Sequence, residues 1–118
     1  MNTEAKINKV VARLHKEIYG VGPTKVKSYI LNDIMLIRFD KPDDTLLSSL
    51  KKCEGGQEVI NNMQQVLYNN YKSTIFEKAE KIIGVEVDDF IYKDFNNYTS
   101  SLIIIIFKDE IPSASQKE

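Results

Sequence analysis

The chain has 118 residues, of which 42% are hydrophobic and 28% charged, and its 16 basic and 17 acidic residues give a net charge of −1. These proportions are typical of an ordinary globular domain with one hydrophobic core. They argue against a nucleic-acid-binding protein, because phosphate neutralisation needs a basic excess or a dense run of Lys and Arg. We therefore expect a single domain over residues 1–108 and a disordered tail over residues 109–118.

Cysteine usage and the apolar runs indicate a cytoplasmic protein. Cys53 is the only cysteine, so no internal disulfide can form. The first eighteen residues lack the apolar stretch of a signal peptide. The longest apolar run, Leu102–Phe107, is far too short to cross a bilayer as a helix. We expect no direct membrane insertion.

The first predicted element is an amphipathic helix that ends at a glycine corner. Its apolar residues recur at steps of three and four: Ile7, Val10, Val11, Leu14 and Ile18. Thr3 is the expected N-cap, Gly20 is the expected stop, and Pro23 prevents the helix from resuming. We interpret Gly20, Gly22 and Pro23 as a structural corner. A phosphate-binding loop would precede a helix N-terminus, whereas this corner follows a helix C-terminus.

A β-hairpin is predicted next, with Asn32-Asp33 as its two-residue turn. In this register one face is almost wholly apolar and comprises Val26, Ser28, Ile30, Met35, Ile37 and Phe39. The other face carries the basic residues Lys25, Lys27 and Arg38, followed by the apolar residues Tyr29, Leu31, Ile34 and Leu36. A slip of one residue would mix the two faces, so the pattern supports this turn.

Two helices are predicted in the middle of the chain. Asp44 is the expected N-cap of a short helix that ends at Gly55-Gly56. A long helix over residues 57–83 follows, with apolar residues every four positions: Val59, Met63, Leu67, Tyr71, Ile75, Ala79 and Ile83. A row of this spacing winds around a helix by about 40° per step. The helix therefore either kinks near Asn69-Asn70 or packs its two halves on different partners.

The last predicted element is a second hairpin after Gly84, with strands over residues 85–93 and 101–108. The run Leu102–Phe107 is apolar on both faces, which predicts a strand that is covered on both sides. The expected fold is α+β, in the order α-β-β-α-α-β-β. Its four-stranded, mainly antiparallel sheet is made of two hairpins, with the first and long helices against one face.

No residue pattern predicts a catalytic, metal or cofactor site, and we expect that the protein is not an enzyme. His15, the only histidine, has no paired nucleophile or carboxylate in any motif and is interpreted as a helix-boundary residue. Cys53 is interpreted as a half-buried packing residue. Four carboxylates of the late strand are interpreted as a solvated strand face: Glu86, Asp88, Asp89 and Asp94.

The basic residues Lys25, Lys27 and Arg38 are the best candidate binding face. They could hold an anion, an acidic partner surface or a lipid headgroup. The simpler interpretation, which we favour, is a solvated outer face balanced by Asp40, since most surface charge clusters carry no function.

The chain resembles the MpsC-like family, small bacterial proteins catalogued as a domain of unknown function and later named for the sodium-translocating, membrane-potential-generating system. The resemblance covers residues 7–107 and is carried by Tyr19-Gly20-Val21-Gly22-Pro23, Val26, Tyr29-Ile30, Asp33, Ile37-Arg38, Glu54, Gly56, Glu58, Gly84-Val85 and Asp94. Relatives often carry a Thr-Pro-x-Glu-Lys helix start where this chain has Asp44-Thr45-Leu46-Leu47-Ser48. They also often carry a histidine where this chain has Tyr92.

The resemblance implies a non-enzymatic companion or regulatory protein of a membrane system concerned with sodium or bicarbonate movement. Such a protein would have a membrane-protein partner and would lie in the cytoplasm, peripheral to the inner face of the membrane. The alternative is a stand-alone homodimeric sensor domain that binds a small molecule or an anion. We also expect a homodimer, because the apolar patch on the second face of the first hairpin can be buried against a second copy of the chain. The interface residues would be Tyr29, Leu31, Ile34 and Leu36.

Overall fold

A four-stranded antiparallel sheet with three helices forms the fold, which confirms the predicted α+β class and element order. The computed structural model describes residues 2–42, 45–95 and 99–112. The elements are α1 (Thr3–Tyr19), β1 (Lys25–Leu31), β2 (Ile34–Asp40), α2 (Thr45–Lys52), α3 (Gly56–Ile83), β3 (Val87–Phe95) and β4 (Ser100–Phe107). The strands lie in the order β1-β2-β4-β3, so the two hairpins join through β2 and β4.

Helix α1 is capped at both ends by its own sequence. Its N-cap is Asn2, whose Oδ1 accepts the Ala5 N–H at 2.8 Å. The predicted N-cap, Thr3, is instead the first helical residue and is buried, so that prediction was wrong by one position. The predicted stop is confirmed: Gly20 has φ of 81°, and its N–H donates to the carbonyl of Lys16 at 2.8 Å.

The β1–β2 hairpin has the predicted register throughout. Lys25 pairs with Asp40, Lys27 with Arg38, and Leu31 with Ile34 across the turn. Asn32 takes a positive φ of 56°, which this residue type tolerates better than most. Turn chemistry and alternation therefore fixed this register together.

The second hairpin lies close to its predicted position but begins two residues later. Strand β3 starts at Val87 because the chain is still leaving α3 at Gly84, which has φ of 80°. The pairing of β3 with β4 shifts at Asp88, where a β-bulge places one extra residue in β3. After the bulge, Phe90, Tyr92 and Asp94 share the face that the helices cover.

The core lies between the sheet and the two long helices. Helix α1 contacts β1 and α3, while α3 also contacts β3. The most deeply buried side chains of the core come from both the helices and the sheet: Ile7, Val11, Met35, Ile37, Phe39, Tyr71, Ile75, Ala79, Ile103, Ile105 and Phe107. The prediction that the first and long helices pack against one sheet face is confirmed.

Helix α3 is one continuous helix whose two halves pack on different partners, the second of the two predicted alternatives. Its C-terminal half contributes Tyr71 and Ile75 to the core. Near its N-terminus, Ile60 and Leu47 of α2 are buried outside that core. The break between α2 and α3 needs glycine, since a Cβ on Gly56 would lie 1.6 Å from the carbonyl oxygen of Leu50.

The segment after β4 continues to contact the domain. The N–H of Ile111 donates to the carbonyl of Asn32 at 2.8 Å, and its side chain is buried in the core. Packing thus extends past Asp109, where we expected the tail to begin. Residues 113–118 and the predicted cap Asp44 lie outside the described residues.

Candidate functional site

The sheet face opposite the helices, here called the open face, carries a continuous apolar patch. The register aligns its residues across all four strands: Tyr29, Leu36, Ile104 and Ile91 in one row, and Leu31, Ile34 and Ile106 in the next. Leu31 is 65% exposed, Tyr29 50% and Ile91 45%. The four patch residues predicted from the sequence are therefore part of a wider surface to which β3 and β4 contribute.

Strand β4 is covered on only one side by the part of the chain that the structure describes. Ile103, Ile105 and Phe107 point to the helices and are buried. Leu102, Ile104 and Ile106 point to the open face and are half-buried. The predicted cover on both sides is thus not supplied by the described residues of one chain. An apolar surface of this continuity is typical of a binding interface.

The three predicted basic residues come together beside this patch. Lys25, Lys27 and Arg38 line a depression of about 190 Å³, together with Tyr29 and Asp40. We call these three residues the basic cluster. Because the depression lies on the open face, the cluster and the apolar patch form one surface.

The cations of the basic cluster have aromatic neighbours. The Lys27 ammonium lies 5.9 Å from the centre of the Tyr29 ring, and the Arg38 guanidinium 5.4 Å from that of Phe95. Within residues 2–42, 45–95 and 99–112, none of the three is in an ion pair. Asp40, which we expected to balance them, accepts a hydrogen bond from the Ser100 hydroxyl at 2.8 Å. Asp40 also lines the depression, so one carboxylate stands against the three cations and the depression is positive overall.

The glycine corner is a structural feature that also covers a histidine. Gly20 needs its positive φ, whereas a Cβ on Gly22 would meet nothing within 4 Å. Between them, the carbonyl of Val21 accepts a hydrogen bond from Nδ1 of His15 at 2.7 Å. Pro23 follows and is half-buried. The corner thus folds back over α1.

His15 is a core residue and not the helix-boundary residue that we expected. Its side chain is 1% exposed, and its ring contacts Tyr19 and Phe39. Burial lowers its pKa, and the nearby Lys41 ammonium lowers it further, while the hydrogen bond to Val21 acts in the opposite direction. Because Nδ1 donates to a carbonyl, the unprotonated nitrogen is Nε2, which has no partner among the described residues. The site favours neutral imidazole.

A buried ion pair lies at the same end of the core. Nζ of Lys41 is 2.9 Å from Oδ1 of Asp94, and the two side chains are only 7% and 4% exposed. The same carboxylate oxygen accepts hydrogen bonds from the hydroxyls of Tyr92, at 3.1 Å, and Ser101. The interpretation of Asp94 as part of a solvated acidic face was therefore wrong.

Tyr92 stacks on Tyr71 beside this ion pair, with ring centres 5.1 Å apart. Burial raises the pKa of both phenols far above their ordinary value, and the Asp94 carboxylate adds to this by disfavouring a second negative charge. The hydroxyl of Tyr71 has no hydrogen-bond partner among the described residues. Both tyrosines stay neutral, and Tyr92 serves as a donor to Asp94.

Sequence reasoning missed the partnership of Lys41 and Asp94, although one signal was present. Alternation from Phe90 through Tyr92 places Asp94 on the inner face of β3. A carboxylate on an inner face needs a partner. The partner lies 53 residues away in the chain, so its identity depended on the pairing of β2 with β4.

Cys53 is exposed, contrary to the expected half-buried position, and its thiol donates to the carbonyl of Ser49 at 3.3 Å. Over the described ranges no cluster of three or more His, Cys, Asp or Glu side chains is placed to hold a metal ion. No helix in those ranges combines the length and apolar character that crossing a membrane requires.

A second apolar surface lies on the α2–α3 arm, the short helix and the N-terminal half of α3. Leu46 is 68% exposed, Val66 60% and Val59 51%. These three residues are separate from the open face. They offer a matched comparison for substitutions there.

Comparison with known proteins gives one match. The family model described as Na+-translocating membrane potential-generating system (MpsC) matches residues 1–110. No curated protein and no solved structure matches the chain.

Proposed function

The chain belongs to the MpsC family, and from this membership we propose that it is a non-enzymatic companion of a sodium-translocating, membrane-potential-generating system. The family name supports a role in this system, and the open face supports a role in binding. We propose that the protein lies in the cytoplasm and meets a membrane protein at the inner face of the membrane. The single cysteine of the sequence is typical of that compartment.

The observation that carries the binding role is the open face itself. Its apolar patch runs across all four strands, and the basic cluster beside it has no ion-pair partner among the described side chains. Surfaces that combine an apolar centre with a charged rim are typical of protein–protein interfaces. We also propose that the protein is a homodimer, since a face of this kind can be covered by a second copy.

The test is the membrane potential of cells that lack the gene, measured with a voltage-sensitive dye in sodium-containing and sodium-free medium. We expect a reduced potential in sodium medium and its recovery with the wild-type gene. Leu31→Lys, on the open face, should fail to restore it. Val66→Lys, on the α2–α3 arm, is the matched control because the two side chains are 65% and 60% exposed.

Immunoblotting must show that both variants accumulate to the wild-type level. An unchanged potential in the deletion strain would refute the role in the system. Full recovery with Leu31→Lys would refute the role of the open face. The non-enzymatic role is tested with Cys53→Ser, which removes the exposed thiol; loss of function in this folded variant would reopen a catalytic role.

A second candidate function, an anion sensor, is favoured by the depression that the basic cluster lines. A depression lined by three cations that have no ion-pair partner among the described residues suits a small anion more than a neutral ligand. Thermal unfolding with inorganic phosphate, and separately with bicarbonate, tests this function. A rise in Tm that Arg38→Gln abolishes would support it. An unchanged Tm up to millimolar concentrations would exclude those two anions.

A further inference from the structure

The charges of the open face are separated between its two ends. One end carries the exposed cations Lys25, Lys27, Arg38 and Lys93 and a single half-buried carboxylate, Asp40, so its charge is positive overall. The opposite end, at the β1–β2 turn and the start of β3, carries the exposed carboxylates Asp33, Asp88, Asp89, Asp109 and Glu110. Its exposed cation, Lys108, is held in an ion pair with Glu86 at 3.0 Å. The apolar patch lies between the two ends.

The sheet pairing fixes where these charges lie along each strand. Lys27 lies on β1 four positions before Leu31, and Asp33 lies in the turn just after it. Lys93 lies near the end of β3, and Asp89 near its start, opposite Ile106. Two strands of the sheet therefore each have a basic end and an acidic end.

Two copies stacked through the open face can be related by a two-fold axis in only two simple ways. An axis parallel to the strands would place basic end over basic end, which is unfavourable. An axis across the strands places each basic end over the partner's acidic end. It also stacks β1 on β1 and β3 on β3.

We propose that the open face binds a second copy of this chain in this second arrangement, as a two-fold sandwich of two sheets. The inference rests on the proposed role of the open face as a binding surface and specifies its occupant. The apolar patches form the centre of the interface. Lys27 of each copy then approaches Asp33 of the other copy, and Lys93 approaches Asp89.

Charge separation favours a second copy over an anionic membrane surface. A membrane would attract the basic end of the face but repel the acidic end, so the flat face could not lie on it evenly. A second copy satisfies both ends at once, because a two-fold interface is self-complementary.

The first experiment is the mass of the purified full-length chain by sedimentation equilibrium at micromolar concentration. We expect twice the chain mass of 13.6 kDa. Leu31→Lys should yield the monomer, because it places a charge within the apolar patch that the two copies would bury, while Val66→Lys should remain dimeric. Circular dichroism and Tm must show that both variants are folded.

The second experiment is a charge exchange that only this arrangement explains. Lys27→Glu and Asp33→Lys should each raise the dimer dissociation constant by about tenfold, since each change reverses two symmetric ion pairs. The double variant, Lys27→Glu with Asp33→Lys, should return to near the wild-type value. Lys6→Glu on α1, an exposed lysine far from the open face, is the control with the same charge change.

The outcomes separate the possible occupants. A wild-type monomer would refute the proposal, as would a dimer that Val66→Lys dissociates and Leu31→Lys leaves intact. Monomers that co-sediment with vesicles of anionic phospholipid would assign the face to a membrane instead. Additive effects in the charge exchange would refute the arrangement. A monomer whose Leu31→Lys variant still fails in cells would refute the sandwich and leave the proposed function standing.

Discussion

Replacing Asp94 by asparagine should destabilise the domain strongly, because it leaves the Lys41 ammonium buried without its counter-ion. The two side chains are 7% and 4% exposed and 2.9 Å apart. Removing one partner of such a pair typically costs about 3–5 kcal/mol. Asparagine retains an oxygen that can still accept from Tyr92 and Ser101. The loss should therefore reflect the charge more than the hydrogen bonds.

Two further variants divide this loss into its parts. Asp94→Leu also removes the acceptor of two hydroxyls, each worth about 1–3 kcal/mol when left unsatisfied, and should bring the domain close to unfolding. Lys41→Met leaves the carboxylate with both hydroxyl donors and should cost less, about 2 kcal/mol. The double variant Lys41→Met with Asp94→Asn should recover part of the sum, because it leaves no unpaired charge.

The assay is urea unfolding followed by circular dichroism, analysed as a double-mutant cycle. The exposed pair of Lys81 and Glu77, at 3.2 Å on α3, is the control. Glu77→Gln should cost only about 0.3–0.5 kcal/mol. Values for Asp94→Asn and Lys41→Met that are as small as this, and additive, would refute the view that the pair is desolvated and coupled.

Three more predictions concern stability. Ile37→Asp, in the core, should lower the free energy of unfolding by roughly 4 kcal/mol or more. Ile34→Asp, on the open face, should lower it less in a chain held monomeric, and equal losses of Tm would show that both faces are buried. Stability should fall as pH drops below about 6.5, because His15 then takes up a proton in the unfolded chain, whereas the buried His15 of the folded chain, with its lowered pKa, stays neutral. His15→Gln should flatten the dependence of the unfolding free energy on pH between about pH 7 and 5.5, and an unchanged dependence would contradict this prediction. Gly56→Ala should lower Tm by many degrees through its clash with a backbone oxygen, while Gly22→Ala, which meets nothing, should leave Tm unchanged.

The parts of the fold that sequence reasoning predicted well are those decided by neighbouring residues. The β1–β2 register follows from the turn at Asn32-Asp33 and from alternation along both strands. The end of α1 follows from Gly20, because few other residues adopt its φ. Such features need no knowledge of distant contacts.

The parts that were missed depend on distant contacts or on local irregularity. The bulge at Asp88 shifts by one residue which side chains of β3 face the core, and no residue pattern in the sequence predicts it. His15 is buried because the glycine corner folds back so that Val21 can accept its N–H, which a helical pattern cannot reveal. Four open-face residues were predicted, but Ile91, Ile104 and Ile106 joined them only through the pairing of β2 with β4.

The sheet places its charges differently on its two faces, and this difference distinguishes structural residues from the residues that we propose for binding. On the inner face, Lys41 and Asp94 neutralise each other out of water. On the open face, Lys27 and Arg38 have aromatic neighbours but no carboxylate in an ion pair within the described residues. Changes to the inner pair should therefore impair function only to the extent that they lower the stability of the domain. Changes to the open-face cations should impair association at unchanged stability, because an exposed, unpaired cation contributes little to folding.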